Sequence, residues 1–521
     1  SDYMTLEHIV TRQHAAATPA EAARLTIAAG LDTEFPIPYG YGATLAAEVA
    51  AGRVDVAHVD ASVRRVLAAK FRLGLFENPY PQETIDIDAV AREGSGLSRD
   101  LARRAVVVVK NDGILPLRAE ASPRIALVGP HSDAVKFQFP TYSYPAFRDM
   151  TVFMSSGGMG NMVGIDPGMA AWNNAIFAPV PVEDYVRDRL GATSLADEFQ
   201  TRAASVEVAA GSTLTHDLGS DTISAAVEAA QNADVVVLAL GGASLWFNGE
   251  RTEGEASDSV NIELPAAQVR LVEAVAATGT PLVVVLTQGR AYALPPVVRD
   301  AAAIVVAPYG GPFGPAAVAE VLFGEIEPSG KLPYSIPVHS GQVPVYHHQR
   351  AGSGYRNSLP PDVAQHYLDL PAEPLYAFGH GLGYTEFAVS GETGSTRVAT
   401  DGVLDVAATV ANTGERSGVA VVQLYLSLRS LGVSRPAQQL AGFVRVELSP
   451  GESRAVSFQV EASQFGCTSW NGDFAVEPGS ASWSIGLASD DIRAAGDFEV
   501  TGPRRVLTAA ERAFLSHATV S

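Results

Sequence analysis

Two carboxylates in unlike settings are the residues here that could do chemistry together. Asp2 stands between the small polar Ser1 and the aromatic Tyr3, where a barrel strand would end, and catalytic groups on barrels sit at strand C-terminal ends. The second lies in Gly249-Glu250-Arg251-Thr252-Glu253-Gly254-Glu255-Ala256-Ser257-Asp258, an acidic, glycine-bearing loop that closely follows the apolar run Val235–Leu240. Open α/β sheets bind ligands on that side. Cleaving a glycosidic bond with retention needs such a pair, one ionised nucleophile and one proton donor, roughly 5–5.5 Å apart. Their environments must keep one ionised while the other holds its proton. The competing reading is that these acids are solvated loop charges, the ordinary state of an acidic side chain.

Other motifs carry less chemistry. There is no P-loop and no metalloprotease helix. Phe378-Gly379-His380-Gly381-Leu382-Gly383 imitates a dinucleotide fingerprint, but it follows a Pro-rich loop rather than a strand. The adjacent His347-His348 has no partner at the i, i+4 spacing of a metal site. The single cysteine, Cys467, excludes an internal disulfide framework and a cysteine-based metal site. Neither a cofactor nor a metal is called for.

Charge and composition narrow the partners. Lys and Arg number 36 against 57 Asp and Glu, a net charge of −21 spread along 521 residues. Nucleic acid and anionic membrane are therefore poor partners, and a neutral ligand is favoured. Hydrophobic residues make up 47%, enough for large cores and too many for wholesale disorder. The longest apolar runs, Ala105–Val109, Val235–Leu240 and Leu282–Thr287, fall far short of the roughly 18 residues of a membrane span. No signal peptide opens the chain, and no initiator Met either. A fragment whose N-terminus lies upstream is expected.

Residues 1–75 read as α/β. Ala20–Gly30 is an alanine-rich helix with Thr18 as N-cap and Pro19 at its first position. Leu31–Pro36 is a short strand leaving it, and Val59–Phe71 is an amphipathic helix stopped by Gly74. Two β-α units of this kind cannot bury themselves alone. Residues 76–103, polar and holding Pro79 and Pro81, read as a linker. Residues 104–340 alternate apolar strands (Ala105–Val109, Ile125–Gly129, Val235–Leu240, Leu282–Thr287, Ile304–Pro308) with helices such as Ile223–Gln231 and Ala266–Ala277. That pattern gives a mostly parallel sheet covered on both faces. An insertion at about 148–180 holds five of the six methionines. Residues 341–385 show no periodicity and read as a second linker. Residues 386–501 switch to short alternating strands, a β-sandwich pattern, and 502–521 form a short tail with helical character.

On these motifs the chain resembles the family 3 glycoside hydrolases, the β-glucosidase and β-xylosidase group. Ser1-Asp2-Tyr3 resembles the family's nucleophile motif, Ala28–Ile37 its "AGVDxExP" segment, and Ser62–Tyr80 the last barrel helix and exit. Val107–Leu117 and Ile125–Pro130 resemble the start of its second domain, and Tyr142–Pro145 a segment of one bacterial branch. Gly254–Ser257 with Ile262–Pro265 resembles the acid/base loop. Pro328–Pro333, Tyr376–Tyr384 and Ser434–Glu452 resemble further signatures, the last in the fibronectin-type III domain.

The resemblance implies α/β plus all-β architecture: the remnant of a (β/α)8 barrel, an α/β sandwich with a mostly parallel sheet, and a fibronectin type III-like β-sandwich. It implies a retaining exo-β-glycosidase acting on terminal β-D-glucosyl or β-D-xylosyl residues of a small oligosaccharide or β-glycoside, with Asp2 as nucleophile and Glu255 as acid/base. Glu253 and Glu250 are the neighbours that could displace Glu255. Tyr3 is a candidate to pack on the sugar's C–H face, with barrel-rim packing as its alternative. Ser259 stands where many relatives have Arg, Gly310–Gly314 replaces the usual "G(E/Q)xGG", and Glu327 replaces Asn. The barrel's earlier β-α units, which carry most sugar-hydroxyl ligands in the family, are absent, so these residues alone are expected to be inactive. The alternatives are a non-catalytic carbohydrate-binding or interaction remnant and one half of a split enzyme. Oligomeric state stays open, a homo-oligomer included, as does compartment, where the resemblance leans to the cytoplasm.

Overall fold

The computed structural model describes residues 1–81, 86–118, 123–153, 175–244, 251–255, 257–350, 367–393, 395–429 and 432–521. The chain forms two compact units, Ser1–Ile87 and Asp88–Ser521.

The first unit is helical apart from one bridge. Its helices are α1 (Thr5–Thr11), α2 (Pro19–Ala28), α3 (Ala43–Ala50) and α4 (Val56–Arg72). The Thr18 hydroxyl accepts from the Glu21 amide with Pro19 in the first turn, the expected start of α2. Asp55 caps α4, and Gly74 follows its end at φ +67°. The expected strand Leu31–Pro36 is reduced to one parallel bridge, Tyr3 with Phe35. The unit buries little beyond Leu6, Ala16, Ala22, Ala23, Ile27, Leu45 and Val54. Val63, Leu67 and Phe71 form the expected stripe on α4 but stay 48%, 40% and 60% exposed.

The second unit opens with α5 (Ile87–Ala105), which corrects the linker expected at 76–103. Val90, Leu97 and Leu101 recur at helical spacing, and Arg103 holds Glu320 at 2.6 Å; Gly94, Gly96 and the charges masked the pattern. Next come β1 (Val107–Asn111), β2 (Arg124–Val128), α6 (Tyr144–Phe153), α7 (Val182–Leu190), α8 (Leu195–Gln200) and β3 (Ser205–Ala209). They are followed by α9 (Ser220–Asn232), β4 (Val235–Gly241), α10 (Ala266–Ala276), β5 (Leu282–Thr287), α11 (Pro296–Arg299), β6 (Ala303–Ala307) and α12 (Gly314–Leu322). The sheet order is β1-β6-β5-β4-β2-β3. Only β1 runs antiparallel. Both faces are covered: Leu238, Val284 and Ile304 join one apolar core, Val237, Val285 and Val305 the other. The chain steps from β2 out to β3, then back to β4 on β2's other side. The C-terminal ends of β2 and β4 therefore flank a topological switch point. Of the insertion at 148–180, residues 154–174 lie outside the described ones.

The stretch read as a second linker is stitched to the sheet where it is described. The Leu382 amide donates to the Val108 carbonyl at 2.7 Å, and Gly379 N–H to Leu332 at 2.7 Å. A Cβ on Gly381 would stand 2.3 Å from the Gly330 carbonyl oxygen. These glycines allow close packing and do not form a strand-turn-helix nucleotide site. Glu327 accepts from the amides of Tyr384 and Thr385, a structural role.

The rest is all β. The strands are β7 (Phe387–Thr393), β8 (Arg397–Ala399), β9 (Val403–Asn412), β10 (Gly418–Leu428), β11 (Gln439–Leu448), β12 (Ser453–Glu461), β13 (Cys467–Thr468), β14 (Phe474–Val476), β15 (Gly479–Gly486), β16 (Ile492–Thr501), β17 (Arg505–Val506) and β18 (His517–Val520). Sheets β11-β10-β15-β16-β8 and β18-β12-β9-β7 share one core that includes Leu424, Phe458, Ile485 and Phe498. The tail at 502–521 holds one short helical turn, Ala509–Glu511, and is otherwise extended. It carries β17 and β18, and β18 pairs with β12 through Val456↔Val520 to Gln459↔His517. Among the described residues no helix is long and apolar enough to cross a membrane.

Candidate active site

In the first unit the chain start lies alongside Thr33–Phe35. The Ser1 backbone nitrogen donates to the Thr33 carbonyl at 2.8 Å, the Phe35 amide to Ser1 Oγ at 3.0 Å, and the Met4 amide to the Phe35 carbonyl at 3.0 Å. Asp2 is exposed and accepts from the Tyr3 amide at 2.7 Å. Tyr3 is 72% exposed, so within this unit its ring is free to meet a ligand. The neighbouring acids are engaged. Asp32 takes a bidentate grip from Arg65, at 2.6 and 2.8 Å to one oxygen and 3.1 Å to the other, which lowers its pKa. Glu34 accepts from the amides of Tyr39, Gly40 and Tyr41, which uses both of its oxygens.

In the second unit the acidic loop leaves β4 at the switch point. Thr252 N–H donates to the Ala243 carbonyl at 3.0 Å, and Ala243 N–H to Thr252 Oγ1 at 2.9 Å. Glu253 turns inward and is 3% exposed. It accepts from the Gly289 amide, from Tyr309 Oη and from Tyr292 Oη at 2.6 Å. Arg290 Nε lies 3.7 Å away. Burial, with the nearby carboxylate second, pushes both tyrosines above the usual phenol range. Glu255 turns the other way, into solvent, and accepts from Tyr142 Oη at 2.5 Å. Glu253 is thus the anchor of the loop and not its free acid. Glu250, the other candidate, lies outside the described residues.

Ser259 is exposed, and the loop is held without an arginine there. Ile262 N–H donates to Ser340 Oγ at 3.1 Å, and Ala293 N–H to the Ile262 carbonyl at 3.0 Å. Behind the loop sits His131, 2% exposed, whose imidazole burial pushes down to about 3. It is neutral at ordinary pH and serves packing against Phe137. His347 stacks on Phe378 at 3.9 Å. Among the described residues no group of His, Cys, Asp and Glu could hold a metal ion.

Glu253→Ala would strand the donors of Gly289, Tyr292 and Tyr309 beside the Arg290 charge. Breaking such a buried arrangement costs about 3–5 kcal/mol. Urea denaturation of the 521-residue chain should show that loss, and a change under about 0.5 kcal/mol, the ordinary surface range, would remove Glu253 from the anchoring role. Sequence reasoning missed both the inward turn of Glu253 and the meeting of Tyr142 with Glu255. The one available signal was Gly254, a residue able to reverse the chain between the two acids.

Residues 106–384 match the Glycosyl hydrolase family 3 C-terminal domain, and residues 420–489 a Fibronectin type III-like domain. The chain is 34% identical over 513 residues to a periplasmic beta-glucosidase of Salmonella typhimurium, covering 96% of this chain and 63% of that protein. It is 29% identical over 509 residues to a beta-xylosidase of Formosa agariphila, covering 95% and 63%. Among solved structures, the beta-glucosidase from Listeria innocua in complex with glucose superposes with a TM-score of 0.76 at 27% identity, covering 96% of this chain and 62% of that one. The same enzyme has been solved, as a mutant, in complex with laminaribiose. The chain therefore spans a little under two thirds of the length of these relatives.

Proposed function

The chain belongs to glycoside hydrolase family 3, and from that premise we propose that it carries the catalytic carboxylates of a retaining exo-β-glycosidase acting on terminal β-D-glucosyl or β-D-xylosyl residues. The substrate class follows the relatives, a beta-glucosidase and a beta-xylosidase. The first unit is read as the end of a (β/α)8 barrel. The parallel Tyr3–Phe35 bridge supports this, as does the uncovered stripe of α4, the face that a closed barrel's neighbouring helices would cover. The strand-rich end is read as a fibronectin type III-like sandwich.

One observation carries the assignment of roles: of the acids in the loop 251–255, Glu253 is spent on holding the loop and Glu255 is presented to solvent. In the proposed reaction an Asp2 oxygen attacks the anomeric carbon while the bond to the aglycone oxygen breaks. Glu255 gives that oxygen its proton. Glu255, now ionised, takes a proton from water, the hydroxide oxygen bonds to the anomeric carbon, and Asp2 leaves with its electron pair. Two displacements give net retention. Tyr3 supplies an aromatic face for the sugar.

The test uses the chain completed by the β-α units of a family barrel fused ahead of Ser1. Glu255→Ala should cut turnover of a β-linked disaccharide about 10²–10⁴-fold. It should cut formation of the glycosyl-enzyme from a dinitrophenyl glycoside far less, because that leaving group needs no proton. Equal losses on both would remove Glu255 from the acid role.

A further inference from the structure

Tyr142 occupies a backbone position that its side chain does not favour. The Ser143 amide donates to the Pro140 carbonyl at 3.0 Å, closing a turn in which Tyr142 is the third residue, at φ +70°. Glycine or asparagine is the usual occupant of such a position, since a Cβ is strained there. The ring is not repaid by burial either: it is 76% exposed. Strain of this kind persists where the surroundings enforce it, and it clusters at functional sites.

The surroundings enforce it through Ser244, three residues beyond the C-terminal end of β4. Thr141 N–H and Thr141 Oγ1 each donate to the Ser244 carbonyl at 2.7 Å, and the two hydroxyls lie 2.7 Å apart. Gly254, at φ +103°, packs on the same residue so closely that a Cβ would stand 2.3 Å from Ser244 Oγ and 3.2 Å from Thr141 Oγ1. Two turns are thus clamped on one serine. The residue after each clamped position projects outward, Tyr142 after Thr141 and Glu255 after Gly254, and the two meet at 2.5 Å from Tyr142 Oη to Glu255 Oε2.

We propose that Tyr142 is a positioning residue for Glu255: its hydroxyl fixes one carboxyl oxygen of an otherwise solvent-exposed side chain and leaves the other to carry the proton. This rests on the reading of Glu255 as the acid/base. A free glutamate on a loop samples many rotamers, and holding it where the aglycone oxygen will lie removes that search from the barrier. The same donated hydrogen bond holds the carboxylate once it is ionised and must receive a proton from water.

The test compares three variants of the barrel-completed protein. Tyr142→Phe keeps the ring and the turn and removes only the hydroxyl. It should lower kcat on a β-linked disaccharide about tenfold, with KM little changed, and leave glycosyl-enzyme formation from a dinitrophenyl glycoside nearly intact. Placed on top of Glu255→Ala, it should add no further loss. Tyr142→Gly relieves the strained backbone, so thermal stability should hold or rise while the same kcat is lost. A merely structural tyrosine would behave otherwise, with a lower melting temperature in Tyr142→Gly and equal losses on both substrates. Full disaccharide activity in Tyr142→Phe, with Glu255→Ala still showing its leaving-group dependence, overturns the role of Tyr142 alone. Absence of that dependence in Glu255→Ala overturns the acid/base reading and this inference with it.

Discussion

Asp2→Ala in the barrel-completed enzyme is expected to lower turnover by at least about 10⁴-fold on every glycoside, whatever its leaving group. The uniformity is the diagnostic feature. Glu255 matters in proportion to how badly the leaving oxygen needs a proton, whereas the nucleophile is needed to form the intermediate from any substrate. The neighbouring acids cannot stand in. Asp32 is gripped by Arg65, and Glu34 is occupied by the amides of Tyr39, Gly40 and Tyr41. A loss confined to poor leaving groups would give Asp2 the acid role and leave the nucleophile unassigned.

The 521 residues assayed alone are expected to turn over nitrophenyl β-glucoside and β-xyloside below about 1% of the barrel-completed rate. A loosely held nucleophile misplaced by about 1 Å already costs roughly a hundredfold. Asp2 is exposed, and the segment bearing it is tied down by one bridge and the bonds of Ser1 and Met4 to Thr33 and Phe35. Over a third of each relative's length has no counterpart here, and on the proposed reading that part supplies the donors that orient the sugar. Orientation and transition-state binding are therefore lost together. The second unit holds its own large apolar cores, so circular dichroism should show folded protein beside that lack of turnover. Ordinary turnover, roughly 1–1000 per second, would show that nothing beyond these residues is needed.

Much of the second unit was legible because its strands are fully apolar. Val235–Leu240 and Leu282–Thr287 can only lie inside a sheet covered on both faces, and they do. What escaped had competing local signals. Gly94, Gly96 and a high charge disguised α5. The tail's Phe514 and Leu515, both exposed, gave no alternation that would mark β18, whose pairing with β12 depends on a partner more than fifty residues away. Within the site, the motif gave the loop but not the direction of each acid. Glu253 and Glu255 differ by two positions, and which one turns inward is decided by Tyr292 and Tyr309, residues distant in sequence. The meeting of Tyr142 with Glu255 likewise depends on Ser244 and on a positive φ that no residue type announces.

The nucleophile can be caught in place. A 2-deoxy-2-fluoro-β-glucosyl donor with a good leaving group slows both displacements through its fluorine, but the leaving group spares the first, so a covalent glycosyl-enzyme accumulates. Peptide mapping by mass spectrometry of the inactivated, barrel-completed protein should place the fluorosugar on Asp2, with no label in Asp2→Ala. Label on another carboxylate, or steady turnover with inversion at the anomeric carbon and no labelled peptide, would contradict the assignment.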